Sequence, residues 1–131
     1  MPKILIVESD VHTRELARVF LSGAGHSVSF AGDGAAAMLE VVGSTPDVVV
    51  TEIMIRKVDG LSLCKRIKGD PKTEHIKVLV VSILAAVVRS QEAGADGFLK
   101  KPLTERGLVE AVTSALGAQT ELTSARSDES S

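Results

Sequence analysis

Five short apolar runs, separated by stretches of helical period, constrain this chain more than any other feature. They fall at residues 3–7, 28–30, 48–51, 78–82 and 97–99 and are rich in β-branched residues. The runs ILIV, VVV and VLVV do not alternate with polar residues, as expected for strands covered on both faces. Between them, residues 11–24, 35–42, 61–68, 86–93 and 105–116 carry helical spacing. Leu16, Val19 and Phe20 form a stripe on the first helix, Leu61, Cys64 and Ile67 on the third, and Leu108, Val112, Ala115 and Leu116 on the last. Asp10 and Thr104 are N-cap candidates, and Gly25 and Gly43 are stop signals. Strands alternating with helices predict a parallel sheet between two helical layers, joined by right-handed crossovers.

Composition narrows the function. At 131 residues with 44% hydrophobic content, the chain suits one domain with a substantial core. Three Phe with no Trp or Tyr make that core aliphatic and leave no aromatic platform for stacking bases. Residues 118–131 read as a disordered tail or linker, so the body is residues 1–117. Without that segment the body has 14 basic and 14 acidic residues, a balance that argues against a phosphate-backbone partner. One cysteine excludes an internal disulfide or a CxxC site. No apolar run approaches the roughly 20 residues of a membrane helix, so no membrane role is expected and the location expected is cytoplasmic.

In a sheet of this kind the functional crevice lies beyond the carboxyl ends of the strands. Those positions hold Glu8-Ser9-Asp10, then Glu52 and Met54, then Ser82, then Lys101-Pro102. Carboxylates, a hydroxyl and a lysine on one edge suit a hard cation and a phosphoryl group. Polar residues at strand ends meet water anyway, so it is their joint placement that points to chemistry.

The segments ILIVESD, PDVVVTEIMIRKVDG and EAGADGFLKKPL, in this order, resemble the receiver domain of bacterial two-component response regulators over about residues 3–117. The resemblance implies a flavodoxin-like α/β fold with a five-stranded parallel sheet of order 2-1-3-4-5. It also implies an aspartate that accepts a phosphoryl group from a histidine kinase, with magnesium as cofactor. By position, Glu8 and Ser9 occupy the acidic pair and Glu52 the phosphoacceptor place. Met54 offers its backbone carbonyl to a metal, Ser82 is the switch hydroxyl, and Phe98 the switch aromatic. Lys101 is the family's lysine, before a Pro102 expected to be cis.

Four departures from that pattern shape the expected function. Glu52 replaces the aspartate, and one extra methylene moves the carboxylate by more than an ångström. Ser9 removes an anionic ligand, which should weaken magnesium. Arg56 and Lys57 add positive charge beside the crevice. The interval from Ser82 to Lys101 is short by about one helical turn, so the fourth helix should be trimmed. Together they describe a pseudo-receiver: no enzyme, no catalytic residue and no cofactor, with Glu52 paired to Lys101 and Ser82 able to join them. Its partner is then a signalling protein, a histidine kinase or downstream effector, and a homodimer is allowed. The alternative is a working phosphoacceptor that uses magnesium, held by Glu8, Glu52 and the Met54 carbonyl, and a histidine-kinase donor. A nucleotide- or flavin-binding flavodoxin-like protein is disfavoured by the acidic crevice and the lack of a glycine-rich phosphate loop.

Other polar residues have plainer readings. Phe98 is read as a packed ring and Cys64 as a small core residue. His12, His26 and His75 lack ligand spacing and are expected to face solvent. Asp10 caps the first helix or supports the crevice, and Asp59-Gly60 forms the turn that starts the third helix. Arg56 and Lys57 are solvated charges or contacts for an acidic partner.

Overall fold

The structure, a computed structural model, describes the backbone of residues 1–130 and side chains as far as residue 117. Strands and helices alternate as β1 (Lys3–Val7), α1 (Val11–Gly23), β2 (Ser27–Ala31), α2 (Gly34–Ser44) and β3 (Val48–Glu52), then α3 (Gly60–Gly69), β4 (Lys77–Ser82), α4 (Val87–Glu92), β5 (Gly97–Lys100) and α5 (Glu105–Ser130). The sheet is parallel throughout, in the order β2-β1-β3-β4-β5. The fold class read from the sequence is thus the one observed. The segment 118–131, read from the sequence as a tail or linker after a body of residues 1–117, has its side chains and its last residue outside the described residues.

The continuous apolar runs are explained by two cores, one on each face of the sheet. Leu5, Val7, Val49, Val78 and Val80 pack against α2 and α3 through Val41, Leu63, Cys64 and Ile67, and Ala86 and Ala93 at the two ends of α4 join the same core. Their neighbours Ile4, Ile6, Val48, Val50, Leu79 and Val81 pack against α1 and α5 through Leu21, Leu108 and Val112. Successive residues of a strand point to opposite faces, so a strand buried on both faces cannot alternate.

The helix ends follow the capping signals with two corrections. Asp10, Asp33 and Asp59 cap α1, α2 and α3, each accepting from a backbone N–H two or three residues on. The Thr104 hydroxyl accepts from Gly107 N–H at 3.0 Å, as a cap of α5 should. Gly43, however, does not end α2. Pro46 has no N–H to continue a ladder, so the helix runs on and closes at Thr45, at φ 46°, whose N–H reaches Val41 O. The stripe on α1 is also shifted: Ala17 and Leu21 are buried and Val19 is exposed. The small side chain of Ala17 lets α1 sit close to the sheet, which turns Val19 outward.

Candidate functional site

Register brings the four strand-end residues together. Val7 pairs with Thr51, Glu52 with Val81 and Ser82 with Lys100. Glu8 and Lys101 therefore project one residue beyond β1 and β5, while Glu52 and Ser82 end β3 and β4. The N–H of Lys101 donates to Ser82 O at 2.9 Å and fixes the start of the β5–α5 turn, where the Lys101–Pro102 peptide is cis.

Lys101 lies between two buried carboxylates. Its ammonium contacts Glu8 Oε1 and lies 3.0 Å from Glu52 Oε2; Glu8 and Glu52 are each 4% exposed. The approach to Oε2 is an ion-pair contact without hydrogen-bond alignment, which leaves that oxygen charge-compensated but without a directed donor. The other oxygen, Oε1, accepts from the Ser82 hydroxyl at 2.8 Å and from Met54 N–H at 3.2 Å. Ser82 Oγ in turn accepts from Leu84 N–H at 3.2 Å.

Burial is the largest single influence on the Lys101 ammonium and favours loss of its proton. Close contact with Glu8 and Glu52, and their charge, outweigh it together, and the Lys101 pKa stands above the ordinary lysine value. Two carboxylates around one ammonium leave the buried centre with a formal charge of −1.

The β3–α3 loop is anchored at both ends. A Cβ on Gly60 would lie 2.0 Å from Glu52 O, and Gly60 N–H donates to Ile53 O at 2.9 Å. Gly34 N–H donates to Arg56 O at 3.0 Å, and Lys57 Nζ lies 3.5 Å from Asp33 Oδ2. Both glycines lie where side chains would strike backbone, a constraint visible in sequence only as glycines beside aspartates.

Other residues singled out in the sequence lie outside this centre. Ser9 is exposed and is not brought in. Phe98 is half-buried and packs on the core beneath α3 and α4. Cys64 is fully buried, Sγ lies 3.4 Å from Ala93 O, and burial pushes its thiol up to about 11, which fits an inert core residue. His12 and His75 are exposed, but His26 is half-buried with Nδ1 shielded, a correction to its solvent-facing reading, because the turn after α1 folds it back. Arg56 is exposed. The contact between Lys101 and Glu8 and the donation from Met54 N–H carry no sequence signal; both depend on side-chain reach across strands.

The donor set fits a divalent cation poorly. Magnesium needs near-octahedral oxygen ligands, with anionic ones supplying most of the affinity. Here both carboxylates already contact an ammonium, and Glu52 Oε1 accepts two hydrogen bonds. Among the described residues no three His, Cys, Asp or Glu are grouped to hold a metal, and no helix is long and apolar enough to cross a membrane.

Comparison with known proteins agrees with this geometry. The model of the response regulator receiver domain family matches residues 4–113. The chain is 34% identical over 105 residues to the DNA-binding dual master transcriptional regulator RpaA of a Synechocystis species, covering 78% of this chain and 44% of that protein. It is 35% identical over 103 residues to the response regulator MprA of Mycobacterium tuberculosis, covering 76% and 44%. The chain thus spans less than half the length of these relatives. Among solved structures, the signal receiver domain of a signal transduction histidine kinase from Syntrophus aciditrophicus superposes with a TM-score of 0.84 at 30% identity, covering 90% of this chain and 92% of that one. The Vibrio cholerae chemotaxis response regulator CheY4, at 23% identity, has the same fold with a TM-score of 0.81, covering 88% and 98%.

Proposed function

This chain belongs to the response regulator receiver domain family, and from that premise we propose that it is a phosphorylation-independent receiver: a protein-interaction module for two-component signalling, not an enzyme, with no metal cofactor. One observation carries the reading. The ammonium of Lys101 bridges Glu8 and Glu52, so the place where a cation and an acyl phosphate would meet is filled by an internal ion pair. Glu52 also sets its carboxylate more than an ångström beyond the reach of an aspartate, a displacement that in-line phosphoryl transfer tolerates badly. Ser9, exposed and neutral, adds no charge to attract a divalent ion.

The partner in this reading is a histidine kinase or a downstream effector. Equal numbers of basic and acidic residues in the body support a protein rather than a nucleic-acid partner for this domain, and its setting is cytoplasmic. The test is incubation with acetyl phosphate and magnesium followed by intact-mass measurement. An unchanged mass is expected. A stable gain of one phosphoryl group on Glu52 would establish the working phosphoacceptor instead.

A further inference from the structure

We propose that the outer face of α2 and the adjoining flank of α3 form a docking surface for an acidic amphipathic helix of a partner protein. The surface uses none of Glu8, Glu52, Ser82 and Lys101, so it stands whether or not Glu52 accepts a phosphoryl group.

The apolar half of the surface comes from α2, in which Glu40 is the single charged residue. Gly34, Ala37 and Val41 are buried against the sheet, yet Leu39 and Val42 stand 77% and 71% exposed. A helix apolar on every side is normally covered on every side; this one is covered on one. Its two flanks are distinguishable. Glu40 lines the cleft beside Ser27 and Ser29 of the outer strand β2. Val42 lies two residues on, about 200° round the helix, and so points away from β2, to the α3 side.

The charged half comes from α3 and the loop before it. Residues 53–72 hold six basic and two acidic residues, whereas the body as a whole has 14 of each. Lys57 and Lys68 are taken up by Asp33 and Asp96. Arg56 and Arg66 are exposed and have no acidic partner among the described residues. Lys68 reaches Ile76 O and Asp96 on the β4–β5 side of α3. Arg66, about 200° away on the same helix, therefore lies on the α2 side. Arg56 sits over the start of α2, where its carbonyl accepts from Gly34 N–H at 3.0 Å.

Charge selects the occupant. Two uncompensated guanidinium groups on one side of an apolar pair match an apolar stripe with carboxylates along one flank, the pattern of an acidic amphipathic helix. A second copy would bring no free carboxylate to this face, because Glu40 faces β2 and Asp33 is committed to Ala36 N–H and Lys57. An anionic membrane would set its phosphates against both flanks, and Glu40 on the β2 side opposes that.

The probe is a synthetic peptide of about 18 residues, long enough to hold helix, with leucines at i, i+3 and i+4 spacing and glutamates along one flank. It is titrated against the isotope-labelled whole chain and followed through backbone amide resonances. Binding with a dissociation constant below about 1 mM is expected, with the largest shifts at Leu39, Val42 and Arg66. Leu39→Asp, and Arg56→Glu combined with Arg66→Glu, should each weaken binding by about tenfold or more. Val88→Asp, at an exposed apolar residue of α4, should leave it unchanged, and circular dichroism shows that each variant is folded. The same peptide with lysine for glutamate should not bind. Absence of shifts on α2 and α3 would overturn the proposal, as would equal binding of the lysine peptide or wild-type affinity in Leu39→Asp. Binding of phosphatidylserine vesicles that Leu39→Asp abolishes would assign the surface to a membrane instead, and sedimentation showing a dimer lost in Leu39→Asp would assign it to a second copy; either result overturns the proposal. Phosphoryl uptake, read by intact mass, would sink only the phosphorylation-independent reading and leaves the peptide titration to judge this surface.

Discussion

Replacing Lys101 with Met is the sharpest perturbation of the buried centre. The change keeps an unbranched side chain of similar length and removes only the ammonium. It leaves Glu8 and Glu52, each 4% exposed, facing one another without a cation. Breaking a buried pair in this way typically costs about 3–5 kcal/mol. The Lys101 side chain retains 18% exposure, so solvent screens part of the interaction, and the expected loss is at the lower end, about 3 kcal/mol. Against a domain stability of about 5–15 kcal/mol, this is a large fraction, equivalent to a fall in Tm of roughly 10–20 °C. With no Trp or Tyr to report unfolding by fluorescence, the assay is urea denaturation followed by far-UV circular dichroism. Adding Glu8→Gln and Glu52→Gln to Lys101→Met should restore most of the loss, because neutral amides need no counter-ion. A loss below about 1 kcal/mol, the usual scale of a solvent-exposed pair, would refute the reasoning. So would a triple variant no more stable than Lys101→Met alone.

Two further predictions concern pH and the loop under the site. Lys101 has a folded-state pKa above its unfolded value, so its stabilising contribution is complete below the unfolded lysine pKa of about 10.4 and is lost as pH rises through the folded value. The stability difference between wild type and Lys101→Met should therefore stay constant from neutral pH to about pH 10 and shrink above it, as followed by urea titrations at stepped pH. Gly60→Ala would set a methyl 2.0 Å from Glu52 O. It should destabilise the fold by at least about 1–3 kcal/mol and shift the Met54 amide resonance, which reports the bond to Glu52; an unperturbed spectrum and stability would contradict the backbone contact.

How much of this was legible in the sequence depends on whether a feature is set by local spacing or by reach. Periodicity located all five strands and five helices because both faces of the sheet are buried, and a continuous aliphatic run of strand length fits little besides a strand covered on both sides. Aspartates at helix starts were readable for a similar reason: capping involves neighbours within three residues. Less readable were features that depend on how elements settle against each other. Val19 satisfies the helical spacing yet faces solvent, because α1 rotates to seat Ala17. Gly43 looks like a stop yet lies inside α2, because Pro46 determines where the chain must turn. At the site, the sequence placed Glu8, Glu52, Ser82 and Lys101 on one edge. It did not show that Lys101 would serve two carboxylates, since that follows from the lateral register of β1, β3 and β5 combined with the length of a lysine.

The same distinction bears on what the edge can do. Topology alone delivers carboxylates, a hydroxyl and an amine to adjoining strand ends, and that arrangement is equally compatible with a phosphoacceptor site and with a closed charge centre. The choice between them lies in about one bond length. A shorter acid at position 52 would leave a gap between itself and Ser82 that a transferred group could occupy; Glu52 spans that gap and bonds to Ser82 directly at 2.8 Å. Lys101 makes the same choice from the other side, since an ammonium held by Glu8 and Glu52 is not available to a third anion unless one of them yields. Entry of a phosphoryl group would therefore have to displace a buried hydroxyl bond and an ion-pair contact together. Phosphoryl oxygens could accept from Ser82 and Lys101 in place of Glu52, so in the proposed reading the obstacle is the position of the Glu52 carboxylate, and restoring aspartate alone should loosen the centre before it restores chemistry.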